Sequence, residues 1–189
     1  MVHSHRANTA QDPARRDMIA KVKHLIKDIK FAMLATEAED GVLHSRPMAT
    51  QESEFDGTLW FFTAASSGKI IELGWNPSVN LSYAELSATR YVSVSGDAEV
   101  VNDRAKMEEL WDEVYKAWFP KGLDDPDLCL LKVEVNTAEY WEAPSGKMLQ
   151  VFGFLKALAT GERADPSGHG EIDLVPDRSA SESRNRSGS

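Results

Sequence analysis

Residues 31–64 read FAMLATEAEDGVLHSRPMATQESEFDGTLWFFTA. Phe31–Thr36 is an apolar run of strand length and Asp40-Gly41 is a hairpin dipeptide. Val42–Thr50 then alternates so that His44, Arg46 and Met48 share one face. A second Asp-Gly pair at 56 and 57 leads into Thr58–Thr63, rich in aromatic and β-branched side chains. Three strands joined by short connections form an antiparallel meander, the beginning of a barrel or a sandwich, and they place Arg46 on a strand rather than on a loop.

Outward from this stretch the elements alternate. Toward the N-terminus, Asp12 can cap and Pro13 can open a helix whose Met18, Val22, Leu25, Ile26 and Ile29 fall on one face. After Thr63, the Ser-rich start Ala64–Lys69 runs into Ile70, Ile71, Leu73 and Trp75, a short helix. Val79–Leu86 and Tyr91–Val101 read as strands, with a bend or bulge permitted at Gly96. Asn102 or Asp103 caps a helix carrying the apolar stripe Met107, Leu110, Trp111, Val114 and Trp118, read as core packing and ended by Pro120 and Gly122. Leu128–Trp141 is a strand with Leu131, Val133 and Val135 opposite Leu130, Lys132 and Glu134. A turn at 143–146 and a last element over 148–159 follow. This order predicts an α+β protein, mainly β, with a closed antiparallel barrel of six to seven strands and flanking helices. The boundaries are a flexible N-terminus over 1–11, one domain over 12–160 and a disordered tail over 161–189, where large apolar side chains are few.

Composition narrows the function classes. With 189 residues and 42% hydrophobic content the chain is long enough for one core. A net charge of −9 disfavours nucleic acid, whose affinity comes from Lys and Arg on phosphates. No apolar run reaches the roughly 18 residues of a membrane span, so no membrane partner is expected. Cys129 is the only cysteine, which excludes an intramolecular disulfide, and its apolar setting suggests a buried thiol; a cytoplasmic location is expected. No Gly-x-Gly-x-x-Gly follows a strand, and Ser66–Ile70 lacks both the leading Gly and the following Ser or Thr of a nucleotide-triphosphate loop. The histidines show no metal-ligand spacing. Only His44 is placed to matter, either as a strand histidine satisfied by a neighbour or as part of a site.

What remains is a cluster of cations and hydroxyls: Ser45 and Arg46 on one strand, Thr63 ending the next, and Ser66, Ser67, Gly68 and Lys69 entering a helix. Such groups suit a phosphomonoester, which gains charge-assisted hydrogen bonds from Arg and Lys and further ones from the free amides of a helix N-terminus. The plainer alternative makes Arg46 and Lys69 ordinary surface cations and Ser66 a helix cap.

The order and spacing of Phe31–Thr36, Gly41, His44–Met48, Leu59–Thr63, Ser66–Lys69, Asn76–Leu81 and Tyr140-Trp141 resemble the pyridoxamine-phosphate-oxidase-like flavoproteins. The addition of Ile26–Lys30 resembles their general-stress-protein branch, of the general stress protein 26 type. The resemblance implies a Greek-key, FMN-binding split β-barrel. It also implies a homodimer with the flavin site at the subunit interface, and FMN as cofactor with FAD as the other candidate. By the same resemblance Arg46, Pro47 and Met48 line the flavin strand, with Arg46 on the phosphate, and Phe62 and Thr63 contact ring and ribityl. Ser67, Gly68 and Lys69 form the phosphate turn, and Trp141 covers the flavin across the interface, its alternative being a core Trp at a strand end. True pyridoxamine-phosphate oxidases follow that Trp with Arg-x-His, whereas here Glu142 follows and the next cation is Lys147, which lacks the planar fork of Arg. The implied function is therefore flavin binding with redox capacity in the ring. A small-substrate oxidase or reductase and a non-enzymatic flavin sensor in a stress response are the alternatives.

Overall fold

The computed structural model of the chain describes residues 13–51, 54–142 and 168–174. Helix α1 (Pro13–Ile26) buries Val22, Leu25 and Ile26, as its apolar face requires. The three strands follow as β1 (Phe31–Glu37), β2 (Leu43–Ala49) and β3 (Thr58–Ala64), with Gly41 and Gly57 at positive φ in the two connections. The expected meander is corrected: β1 and β2 form a hairpin, whereas β3 pairs with β6 and not with β2. Helix α2 (Gly68–Trp75) leads to β4 (Ser78–Glu85) and β5 (Arg90–Val101). Helix α3 (Arg104–Leu110) and short turns precede β6 (Leu128–Glu142), and β7 (His169–Asp173) ends the described chain.

The strands form one antiparallel sheet in the order β2-β1-β4-β5-β6-β3, with β7 also on β6. The barrel is open, as the split β-barrel implied by the resemblance requires, and not closed as the order of elements alone suggested. β2 and β3 end the sheet and come near each other without a ladder between them, so the structure is a barrel with one seam. The N-terminal half of β6 carries β3 and its C-terminal half carries β7 on the same side, which is how a 15-residue strand serves two neighbours. Between the halves the β5–β6 register slips at Ser95 and Gly96, where Ser95 faces Thr137 and Gly96 faces Val135. The extra residue, Asn136, bends the pair in the manner of a β-bulge and ties its side-chain amide to Asp97 at 2.9 Å.

Alternation divides the apolar residues between two cores. Leu34, Phe61, Leu81, Val94, Leu131 and Val133 fill the barrel, while Cys129 and Leu130 join Met107 and Phe119 in a second cluster outside it. Each fully buried Leu or Phe contributes about 1.5–3 kcal/mol. The single helix expected from 104 to 118 is broken. Asp103 caps α3 through Lys106 N, α3 stops at Leu110, and a separate 3₁₀ turn runs over Glu113–Ala117 with Asp112 as its cap. The stripe accordingly splits: Met107 is buried, but Val114 and Trp118 are 57% and 64% exposed. Asp112, a second helix start inside the periodic run, is the physical reason.

The disordered tail also needs correction, because His169–Asp173 is a strand whose Ile172 is buried in the barrel core. The turn and element expected over 143–146 and 148–159, like Lys147 and the N-terminal 1–11, lie outside the described residues. No helix among the described residues is long and apolar enough to cross a membrane.

A Cβ on Gly96 would sit 2.3 Å from the Glu134 carbonyl oxygen, a backbone atom of the opposite strand that cannot swing away. Gly96→Ala is therefore expected to cost about 1–3 kcal/mol of stability, read as a lower denaturation midpoint in urea with an unchanged slope; an unchanged midpoint would show that the bulge is soft.

Candidate functional site

Three elements meet at the mouth of the barrel. β2 presents Arg46 and His44 on one face, β3 carries Thr63 next to its last residue, and α2 starts at Gly68 with Ser67 as its N-cap residue. Ser67 makes no side-chain cap bond, which leaves its hydroxyl available. Lys69 Nζ donates to Thr63 Oγ1 at 2.8 Å and to Ser67 Oγ at 3.1 Å, and it has no carboxylate partner among the described residues. Burial lowers the Lys69 pKa first and the nearby Arg46 charge lowers it further, with Cys129 and Glu72 opposing, so the two cations face a common space. A Cβ at Gly68 would meet nothing within 4 Å, so the start of α2 is open as well.

Arg46 is held from behind. Its Nη1 donates to Thr36 Oγ1 at 2.5 Å and its Nη2 to Glu72 Oε2 at 2.8 Å. Glu72 lies one turn after Lys69 on α2; its side chain is 12% exposed, its Oε2 also accepts from Thr36 Oγ1, and its Oε1 lies 2.6 Å from His44 Nδ1. Burial alone would raise the Glu72 pKa. The hydrogen bonds from Thr36, His44 and Arg46, with the Arg46 charge, outweigh it and bring the value down to about 2.

The structure thus brings together Arg46, Thr63, Ser67, Gly68 and Lys69 of the expected residues, and it separates the others. Ser45 and Pro47 point to the exposed face of β2, and Met48 is buried in the barrel. Phe62 turns to the outer cluster, edge-on to Trp111 with ring centroids 5.5 Å apart. Ser66 is committed to Asp127, which accepts from its amide at 2.8 Å and its hydroxyl at 2.7 Å. Trp141 is not a core residue: it is 39% exposed and stacks on His169 at 5.2 Å. Cys129 pairs with Thr63 across the ladder, and from Cys129 to Trp141 the strand runs roughly 40 Å at about 3.3 Å per residue. Trp141 therefore lies past the bulge, on the half of β6 that pairs with β7 rather than with β3.

Sequence reasoning missed Glu72, Thr36 and Asp127. Glu72 left a signal, since the one carboxylate of the helix GKIIELGW, set among Ile70, Ile71 and Leu73, must find a cationic or hydroxyl partner once the helix docks. No group of three or more potential ligands able to hold a metal ion occurs among the described residues.

This assembly, a split antiparallel barrel with cations gathered where β2, β3 and α2 meet, corresponds to a known class. The chain belongs to the family of pyridoxamine 5'-phosphate oxidase-like proteins, whose model matches residues 17–165. Among curated proteins it is similar to protein bli-3 of Neurospora crassa, 30% identical over 145 residues, covering 71% of this chain and 69% of that one. Among solved structures it is similar to the general stress FMN/FAD binding protein of Xanthomonas citri, at 29% identity and a TM-score of 0.60, covering 69% of this chain and 92% of that one. General stress protein 26 of Bacillus anthracis is also similar, at 25% identity and a TM-score of 0.56, with coverage of 66% and 92%.

Because the folded-state pKa of Glu72 lies below the ordinary 4.5, its contribution is complete above that value and is lost as pH falls toward about 2. The stake is roughly 3 kcal/mol at 1.36 kcal/mol per unit. Glu72→Gln is expected to flatten the acid side of the stability curve between about pH 4.5 and 2, read by urea unfolding at each pH; parallel curves for the two proteins would show that the carboxylate is not so tightly held.

Proposed function

We propose that the chain binds a flavin nucleotide, FMN or FAD, through its phosphate at the Arg46–Lys69 cluster. The observation that carries this reading is Lys69, a half-buried ammonium held by two hydroxyls and no carboxylate, beside the open first turn of α2. A phosphate there gains two cations, the hydroxyls of Thr63 and Ser67, and helix amides. From Arg46 to Ala49, β2 advances about 10 Å, the reach of a ribityl chain. At Ala49 it meets a cleft of about 820 Å³ walled by Trp111, Tyr115 and Trp118, large and aromatic enough for a flavin ring. The general stress protein of Xanthomonas citri, named for FMN and FAD binding, supports the same reading.

When bound, the flavin supplies electron or hydride transfer, while the protein's residues bind and orient it. Oxidation of pyridoxamine phosphate is not proposed, because Trp141 is followed by Glu142 rather than Arg-x-His. A homodimer completes the reading: the β7-paired half of β6 carries an exposed Trp141, and a second copy can bring one to the cluster.

FMN titration followed by flavin fluorescence tests the first point. Wild type is expected to bind and the Arg46→Ala, Lys69→Ala double variant to lose at least a hundredfold in affinity, about 2.7 kcal/mol; equal binding by both would sink the phosphate assignment. For the second point, Trp141→Ala is mixed with the double variant under conditions that let subunits exchange. A site built from two chains regains wild-type affinity in the mixed dimers, whereas a site within one chain shows only the two parental affinities.

A further inference from the structure

His44 and Arg46 stand two residues apart on β2 and grip opposite oxygens of one carboxylate, at 2.6 Å to Oε1 and 2.8 Å to Oε2 of Glu72. With Nδ1 on the carboxylate, the other ring nitrogen of His44 is turned away from it, and the side chain is 50% exposed. Among the described residues, the charged groups facing His44 are Glu72 from α2, with Lys69 one turn earlier, and Arg46 from its own strand. On β1 its ladder partner is the uncharged Thr36, and the next residue, Glu37, accepts from Asn76 Nδ2 at 2.8 Å. Arg46 and Lys69 against Glu72 leave the cluster one positive charge while the imidazole is neutral, and two once it is protonated. A phosphomonoester dianion matches the second state.

We propose that His44 is the third cation of the anion site, so that the site binds dianionic phosphomonoesters more tightly when the imidazole is protonated. The proposal rests on the phosphate reading of the Arg46–Lys69 cluster and adds to it a residue and a pH dependence. Glu72 is the positioning residue: by taking Nδ1 it sets which ring nitrogen is left free of it. Linkage makes the effect reciprocal, since an anion that prefers protonated His44 must hold that proton more firmly once bound.

A phosphate ester itself takes up a proton near pH 6, so the probe is inorganic sulfate, whose charge is constant through the range. With FMN's own affinity measured at each pH, the inhibition constant of sulfate is expected to be about tenfold lower at pH 5.5 than at pH 8 in wild type, and equal at both in His44→Gln. In the wild-type apoprotein the His44 ring titration, followed by NMR, is expected to move to higher pH when sulfate is added, by about one unit for a tenfold coupling. This second measurement does not depend on the variant folding. A pH slope that persists in His44→Gln, a ring titration that saturating sulfate leaves in place, or FMN binding with no sulfate competition at either pH overturns the proposal. If FMN does not bind at all, the flavin reading fails separately, and the sulfate-induced movement of the His44 titration still decides whether the cluster takes a dianion.

Discussion

A carboxylate buried in the middle of a short helix organises the cation cluster at the barrel mouth. Glu72 cannot stay ionised under the barrel mouth without partners, because the loss of solvation is worth several kcal/mol. It obtains them from two strands at once, Thr36 on β1 and His44 and Arg46 on β2. Those bonds hold α2 against the sheet. They also decide which way Arg46 faces, and by fixing the start of α2 they set Ser67, Gly68 and Lys69 beside it. Removing one partner would leave a buried charge uncompensated, so the network is retained or lost largely as a unit.

The sheet supplies the second constraint. Its end strands β2 and β3 approach each other but do not pair, leaving an unladdered seam that Arg46 and Thr63 flank from either side. Opposite the seam, β5 and β6 are continuous and curve at the Gly96 bulge, which lets β6 leave β3 and continue to β7. The same continuation carries Trp141 onto the β7-paired half of β6. The cation cluster lies by the β3-paired half of β6 and the exposed Trp141 on its β7-paired half.

Much of this was legible because local chemistry and tertiary structure agree. Asp40-Gly41 marked the β1–β2 hairpin and Asp56-Gly57 the turn into β3, period-two alternation placed His44, Arg46 and Met48 on one face, and Gly96 marked the bulge. Nothing local indicated that β3 leaves β2 to pair with β6. Where a second local signal competed, the reading went astray: Asp112 starts a new turn inside an apolar stripe that looked like one helix. His169–Asp173 was missed because a short strand with one buried Ile has little apolar content of its own, and its order comes from the ladder with β6.

The sequence by itself determined the element types, the alternation that divides inside from outside, and the cations and hydroxyls available for an anion, since each of these depends on neighbours a few positions apart. Only the tertiary structure decided that the barrel stays open between β2 and β3, that Ser66 belongs to Asp127, and that Phe62 faces away from the cluster. It alone also gave Arg46 and His44 a shared carboxylate from a helix more than twenty residues further along the chain. Partners so distant in sequence are chosen by the burial of a charge that must be satisfied wherever the fold brings it, and periodicity carries no record of that choice.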